Sequence, residues 1–443
     1  MDGSDALEAE LAVFRAASRR GSPVFSLDLI RSTLRALGDP QDQLGPTIHV
    51  TGTNGKGSTT AFLRSLAEAS GRAVSVFTSP HLISVCERIR IRGRLVQPDQ
   101  LASALREIRT VSERLSYFEA LTAAAFLLFS RSRADLTLIE VGAGGSGDAT
   151  NVMRAPAACI VTPISRDHEA MFGVEGVAAI ARIKSGIFRR GVPAIIAPQP
   201  PLALAVLREQ ARAVGSPLSL AVKDWRCGWD GEAFVYDGPV LGVRSPWLSL
   251  PGRHQAVNAG AACAAFEAVW GASCDSDAMA EGLRSAHWPA RLQRLGPGPL
   301  TENYKGAIWL DGAHNPAGAE ALAASIRDRR PALGGDRVSV ILALQAAKDL
   351  PGVLRPLCES AEEIIACPLP DSGGQEGGDG TDPSAIVALA RSLGVEARQV
   401  GDLEEAVRLS RAGGAHRIYV CGSLYLCGMA LRLNGERTDP SAE

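Results

Sequence analysis

The segment His49-Val-Thr-Gly-Thr-Asn-Gly-Lys-Gly-Ser-Thr59 constrains this chain more than any other. An apolar run at 47–51 leads into it. Residues 61–70 leave it with the helical spacing of Phe62, Leu63, Leu66 and Ala67. Strand, glycine loop, lysine, hydroxyls and helix in this order make a phosphate cradle. Glycines let backbone N–H groups curl around phosphate oxygens, and a helix N-terminus adds partial positive charge. Thr53, Asn54, Gly55, Lys56, Gly57, Ser58 and Thr59 are therefore the expected phosphate-binding residues, with Lys56 at the β- and γ-phosphates. A hydroxyl from Ser58 or Thr59 is expected to face Mg2+. The common spacing G-x-x-x-x-G-K-[ST] is not met, because Val50 takes the first glycine position and Gly57 separates Lys56 from Ser58.

Around this loop, apolar runs at 73–77, 136–141, 159–162 and 193–197 alternate with helical patterns such as 121–130. Such alternation predicts a largely parallel sheet covered on both faces, with ligands at the carboxyl ends of its strands. Aromatics, glycines and prolines between 225 and 250 predict short β-structure, followed by a helix over 255–269. Leu295-Gly-Pro-Gly-Pro-Leu300 is a run of turn formers and the best domain boundary. It divides the chain into 1–295 and 296–443. Strands at 307–310, 338–344, 363–367 and 417–421 then predict a second, smaller Rossmann-like α/β domain. The glycine-rich stretch 371–381 reads as a surface loop. With 443 residues and 46% hydrophobic, the chain is long and apolar enough for two cores.

Other classes are disfavoured. The formal net charge of −2 gives no nucleic-acid footprint. Arg88, Arg90, Arg92 and Arg94 recur every second residue, which predicts one solvated strand face. The nine cysteines include no C-x-x-C pair, so zinc or a disulfide framework is not expected. No stretch approaches the roughly 20 uncharged apolar residues of a membrane span. The first 30 residues lack the apolar core of a secretion signal, so a cytoplasmic location is expected.

Further motifs follow in order: TSPHL at 78–82, ERI at 87–89, SYFEA at 116–120, EVGAGG at 140–145, DATN at 148–151 and DH at 167–168. KSGIF at 184–188, GRHQAVNA at 252–259, WPARLQ at 288–293, LDGAHN at 310–315 and GSLYL at 422–426 complete the set. Together with GTNGKGST, they resemble the folylpolyglutamate and dihydrofolate synthases, relatives of the Mur ligases. The resemblance implies a two-domain, Mur ligase-like fold with the active site in the cleft between domains. It also implies ATP-dependent joining of L-glutamate to dihydropteroate or a folate through an acyl phosphate.

By the same resemblance Glu140, Ser79, His168 and Lys184 are expected at magnesium, with Lys184 carbamylated. Asn258 is expected at adenine, Arg291 at the γ-phosphate, Asp311 at ribose, and His314 at nucleotide or amino acid. Ser116, Tyr117, Phe118, Glu119 and Asp148 are expected at the pterin, although Tyr117 and Phe118 equally fit a core role. The implied partners are small molecules only, with no nucleic acid, no membrane and a monomeric chain.

The chain departs from the family pattern in places. Where the family reads GLGGRLDATN, an arginine and a leucine are replaced by Ser146 and Gly147. EKAGI becomes Ile183-Lys-Ser-Gly-Ile187, G-L-x-R becomes Ser26-Leu-Asp-Leu29, and D-K-D survives only as Ala347-Lys348-Asp349. Phosphate and metal positions are kept, while changes gather beside the acid pocket. The same scaffold acting on another carboxylate, or a P-loop ATPase or kinase, are the competing readings.

Overall fold

Two parallel sheets organise the chain, and both turn the carboxyl ends of their strands toward a shared cleft. The computed structural model describes residues 3–20, 26–167, 169–329, 336–369 and 379–436. His168 and residues 371–378 of the glycine-rich stretch lie outside the described residues.

The first sheet contains β1 (Thr47–Thr51), β2 (Val74–Phe77), β3 (Ile89–Ile91), β4 (Arg94–Leu95), β5 (Leu136–Glu140), β6 (Ala158–Val161), β7 (Ala194–Ile196) and β8 (Leu218–Leu220). Its order is β4-β3-β2-β5-β1-β6-β7-β8, parallel from β2 to β8. β1 lies between β5 and β6, so the chain crosses to both sides of it and leaves a crevice above its carboxyl end. The register sets Val50 opposite Glu140, which brings the end of β5 level with the start of the glycine loop.

β1 and β5 are buried on both faces, hence their near-continuous apolar sequences. On one face, Ile48, Val50, Leu136 and Leu138 pack against the helix Lys56–Ala69 and the helix Gln255–Trp270. The second of these helices is buried nearly all round. Its alanines and glycines permit close approach: a Cβ at Gly260 would meet the Cys227 side chain and Trp225. A three-stranded antiparallel sheet of β9 (Arg226–Trp229), β10 (Phe234–Asp237) and β11 (Gly242–Ser245) covers its far side.

The second sheet has β12 (Gln293–Arg294), β13 (Ala307–Leu310), β14 (Val338–Leu342), β15 (Glu363–Ala366), β16 (Glu396–Gln399) and β17 (Arg417–Cys421), in the order β12-β13-β17-β14-β15-β16. Only β12 runs antiparallel. Along β14, Val338, Val340 and Leu342 face one core, and Ile341 faces the other. This is the period-two division expected of a sheet with helices on both faces. β12 joins this sheet at residues 293–294, ahead of the turn-rich segment 295–300.

One expectation is corrected. Arg88, Arg90, Arg92 and Arg94 do not share a strand face. Arg92 and Gly93 have φ of 47° and 88° and turn the chain between β3 and β4. Arg88 precedes β3 and is fully buried, donating from Nε to His81 Nδ1 at 2.9 Å. Among the described residues, no helix is long and apolar enough to cross a membrane.

His49 shows how polar groups are accommodated in this core. Its ring is buried, and Nε2 lies 2.9 Å from Thr150 Oγ1. That hydroxyl donates to Asp148 Oδ1 at 2.5 Å, so His49 must donate to it as the neutral Nε2–H tautomer. Burial, then the charge of Arg189, pushes its pKa from 6.5 down to about 3. A depressed folded pKa means that the stabilisation is complete above the unfolded value and is lost as pH falls toward 3. The expected slope is up to about 1.4 kcal/mol per pH unit. Urea unfolding at about pH 7 and about pH 5 should therefore show a smaller loss of stability in His49→Gln than in the parent.

Candidate functional site

The glycine loop is shaped by what presses on it. Gly52 and Gly55 have φ of 144° and 91°, which favour glycine. A Cβ at Gly52 would collide with Thr162, and one at Gly55 with the Asn258 side-chain oxygen. At Gly57, in the first turn of the helix Lys56–Ala69, a Cβ would come within 2.7 Å of the Trp288 indole. The unusual spacing therefore has a local cause: the extra glycine after the lysine is where Trp288 of WPARLQ rests.

Thr53 and Asn54 donate their backbone N–H groups to Pro163 O at 3.1 and 3.3 Å, tying the loop to the end of β6. Gly55 C=O accepts from Thr59 N at 2.8 Å. The N–H groups of Lys56, Gly57 and Ser58 then head the helix, where an anion would meet them. Ser58 and Thr59 are both buried, and Thr59 Oγ1 has no hydrogen-bond partner among the described residues.

Two lysines converge on one carbonyl. Lys56 Nζ donates to Gly52 O at 3.3 Å, and Lys184 Nζ donates to the same oxygen at 2.7 Å. Lys184 ends the helix Gly176–Lys184 and is only 5% exposed. Burial, reinforced by the charge of Lys56, lowers its pKa from 10.5 to about 7. Glu140 ends β5 at 3% exposure, and its Oε2 has no hydrogen-bond partner among the described residues. Burial pushes its pKa up to about 7, opposed by the charges of Lys56 and Arg291. A buried carboxylate oxygen with no partner, sharing a cavity with Ser79, suits a hard cation with oxygen ligands.

Ser79, Glu140, Trp288 and Arg291 line a cavity of about 70 Å³ between the two halves. Arg291 projects from the connection into the second sheet, and its Nη1 donates to Ala290 O at 2.9 Å. From the second sheet, the loop after β13 carries Asp311 and His314. Asp311 has both oxygens engaged, accepting from Leu292 N and Ala313 N at 2.9 Å each, so it braces the turn. His314 Nδ1 lies 3.0 Å from Gly312 O, and its Nε2 lies 3.4 Å from Asp167 Oδ2. Asn258 is buried, donating to Gln255 Oε1 at 2.8 Å with its oxygen over Gly55.

The residues expected at the acid divide in their roles. Ser116 and Glu119 form a reciprocal capping box for the helix Tyr117–Arg131; the S-x-x-E spacing carried that signal. Tyr117 is core, with the Arg15 and Arg88 guanidiniums each 5.5 Å from its ring centre. Phe118 is half-buried against Gly142 and Phe77. Asp148 accepts from Ala143 N at 2.8 Å and from Thr150, which fixes the loop after β5. The departures Ser146, Gly147 and Ile183 come together with Ala143, Gly145 and Phe172 around a second cavity of about 290 Å³.

Sequence reasoning missed the contacts that bridge the halves. Asn54 and Asn315 exchange side-chain hydrogen bonds of 3.1 and 2.9 Å. Asn315 Nδ2 also donates to Asp167 Oδ2 at 3.0 Å, and Lys348 Nζ donates to Asp167 Oδ1 at 2.7 Å. Asn54 was expected at phosphate, Asp167 and Asn315 stood inside quoted motifs, and Lys348 was the remnant of D-K-D. Trp288, too, stood inside a motif without a role.

Residues 50–266 match the Mur ligase middle domain, and residues 299–433 match the Dihydrofolate synthetase, C-terminal domain. A folylpolyglutamate synthase of Lacticaseibacillus casei is 32% identical over 425 residues, covering 90% of this chain and 91% of that protein. A probable bifunctional folylpolyglutamate synthase/dihydropteroate synthase of Halobacterium salinarum is 31% identical over 94% of this chain, which spans 50% of that longer protein. The solved structure of E. coli FolC in complex with DHPP and ADP is 26% identical, with a TM-score of 0.85, covering 96% of this chain and 97% of that one.

The contact between Trp288 and Gly57 is open to test. Gly57→Ala should weaken ATP binding by about tenfold or more, because the indole must leave the loop that positions Lys56. Gly57→Ala combined with Trp288→Leu should recover part of that affinity, as read by calorimetric titration with ATP.

Proposed function

The chain belongs to the folylpolyglutamate synthase/dihydrofolate synthase family, and from that premise we propose that it uses ATP to join L-glutamate to dihydropteroate or a folate. The observation that carries the reading is the meeting of the glycine loop, Glu140, Lys184 and Arg291 at a cleft that the second sheet closes with its own loops. A free carboxylate does not react with an amine, because oxide would have to leave. In this reading its oxygen attacks the γ-phosphorus of ATP, the bond to the β–γ bridging oxygen breaks, and ADP departs. The glutamate amine then attacks the acyl carbon, inorganic phosphate leaves, and the ammonium proton is lost to solvent. Catalysis of the first step rests on alignment and charge neutralisation.

Lys56 and the N–H groups heading its helix hold the phosphates, with Arg291 opposite. A planar guanidinium suits the spread charge of a transferring phosphoryl group. Glu140, Ser79, His168, the P-loop hydroxyl and a carbamylated Lys184 would hold magnesium, which supplies further positive charge to the phosphates when bound. The partnerless Glu140 oxygen supports that assignment. Lys184 suits carbamylation for a physical reason. A pKa of about 7 leaves much of its amine neutral near neutral pH, and the neutral amine is the form that attacks CO2, yielding a carbamate and a proton. Carbamylation also replaces a cation beside Lys56 by an anion.

We divide the chain at about residue 295, with the edge strand β12 just ahead of the boundary pairing into the second sheet, and treat one chain as the catalytic unit, located in the cytoplasm. Asn258, Asp311 and His314 are assigned to the nucleotide side, with His314 also facing the amine. Phe118 and Asp148 are assigned to the acid side. A second reading, with the same chemistry on a non-folate carboxylate, is favoured by one observation: the uncharged cavity of about 290 Å³ bordered by Ser146, Gly147 and Ile183.

Parallel assays with ATP, magnesium and glutamate, offering either dihydropteroate or tetrahydrofolate, should give ADP and an amide product detectable by mass spectrometry with at least one acid. No product with either acid, from folded protein that binds ATP, would sink the folate assignment. Lys184→Ala should lose product formation by about a hundredfold or more while still binding ATP.

A further inference from the structure

Asp167 belongs to the first half and is held through its side chain by three residues of the second. Its side chain is 5% exposed. It stands in the loop after β6, in the half that carries the glycine loop. Oδ1 accepts from Lys348 Nζ at 2.7 Å, and that ammonium is itself only 9% exposed. Oδ2 accepts from Asn315 Nδ2 at 3.0 Å and lies 3.4 Å from His314 Nε2. Lys348, His314 and Asn315 all come from loops at the carboxyl ends of β13 and β14, in the other half.

Asn315 carries the connection onward. Its amide nitrogen is shared between Asp167 and Asn54, while its oxygen accepts from Asn54 Nδ2 and caps the helix Pro316–Asp328 through Gly318 N at 2.9 Å. Asn54 is held by Pro163 O and immediately precedes Gly55 and Lys56. A continuous set of hydrogen bonds thus runs from the phosphate loop through Asn54, Asn315 and Asp167 to Lys348.

We propose that Asp167 is a positioning residue: its nearly buried ion pair with Lys348, together with the Asn54–Asn315 amide pair, docks the second half of the molecule onto the loaded phosphate loop. This rests on the ligase reading above and adds to it a residue that couples phosphoryl transfer to capture of the amine. The physical reason is that a buried ion pair bridging two bodies exists only when they are docked. A docked placement that misaligned them would leave a buried charge without its partner, so the pair selects one relative placement over other docked ones. In that placement Lys348 and His314 are held at Asp167, one hydrogen-bonded step through Asn315 from Asn54 of the phosphate loop. Without it, an acyl phosphate formed on the first half meets water before it meets an amine.

The test uses Asp167→Asn, Lys348→Met and the double variant in the full chain. Each single variant should raise KM for the amino acid about tenfold and release more than one ADP per amide formed, with the Kd for ATP changed by less than about threefold. The double variant should be no worse than the poorer single one, and Asp167→Glu should recover part of the loss. Small-angle scattering of the ATP-bound protein should show a larger radius of gyration in both single variants. Multiplying defects in the double variant, KM and Kd moving together, or unchanged scattering with one ADP per amide would overturn the proposal. If the parent protein makes no amide, the ligase reading fails by itself, and scattering still decides whether the ion pair docks the halves.

Discussion

Everything at the centre of this molecule is arranged around the carbonyl of Gly52. Two ammonium groups, from Lys56 and Lys184, reach that one oxygen in a site nearly closed to water, beside a carboxylate with an oxygen left over. Such a group of charges is poorly settled as it stands. Burial lowers one amine and raises the carboxyl, so that each sits near pH 7 and either gains or loses a proton at small cost. In the proposed ligase reading these groups become compatible when phosphate adds negative charge beside Lys56 and a cation takes up Glu140. The sheet order supplies the geometry, since β5, β1 and β6 are adjacent and deliver Glu140, the glycine loop and the Asp167 loop to one edge.

The same close approach explains which glycines are needed. Thr162, Asn258 and Trp288 press on Gly52, Gly55 and Gly57 from three separate segments. The loop is held from outside rather than by its own sequence. A phosphate loop packed in this way can depart from the common spacing, because the residue after the lysine must be a glycine to leave room for Trp288. The second half enters through the same surface: Arg291 follows Trp288 by three residues, and β12 begins two residues later.

Much of this was legible in the sequence because the central strands are short apolar runs ending in chemistry. β1, β13 and β17 fall where the apolar runs predict them, and Lys56 and Glu140 follow directly from a strand end. Polar edges were less legible. β16 reads Glu-Ala-Arg-Gln, pairs on one side only and sends Ala397 alone of its four residues into the core, so no apolar run marks it. The arginine series at 88–94 was misread because periodicity carries no trace of a turn at Arg92-Gly93. The pairings that bridge the halves were hidden for another reason. Asn54 and Asn315 are separated by 261 positions, and Asp167 and Lys348 by 181. Their residue types are ordinary, and only the meeting of two sheets makes them partners.

The departures from the family pattern acquire a physical meaning once the loop after β5 is placed. Ser146 N donates to Ile183 O at 3.0 Å, so the two positions are neighbours across the backbone. The family pattern puts a base at one and an acid at the other. Losing either alone would leave a charge facing an empty partner at a partly buried surface, which is costly. Losing both, with a leucine reduced to Gly147, leaves an open and uncharged cavity. Its floor is still pinned: a Cβ at Gly145 would come within 3.0 Å of Lys184 Cα. The loop therefore separates two tasks within eight residues. In the proposed reading Glu140, at its start, serves the phosphate chemistry, while Ser146 and Gly147, at its end, border the second cavity. A scaffold divided in this way can keep the activation of a carboxylate constant and vary the body of the acid that carries it.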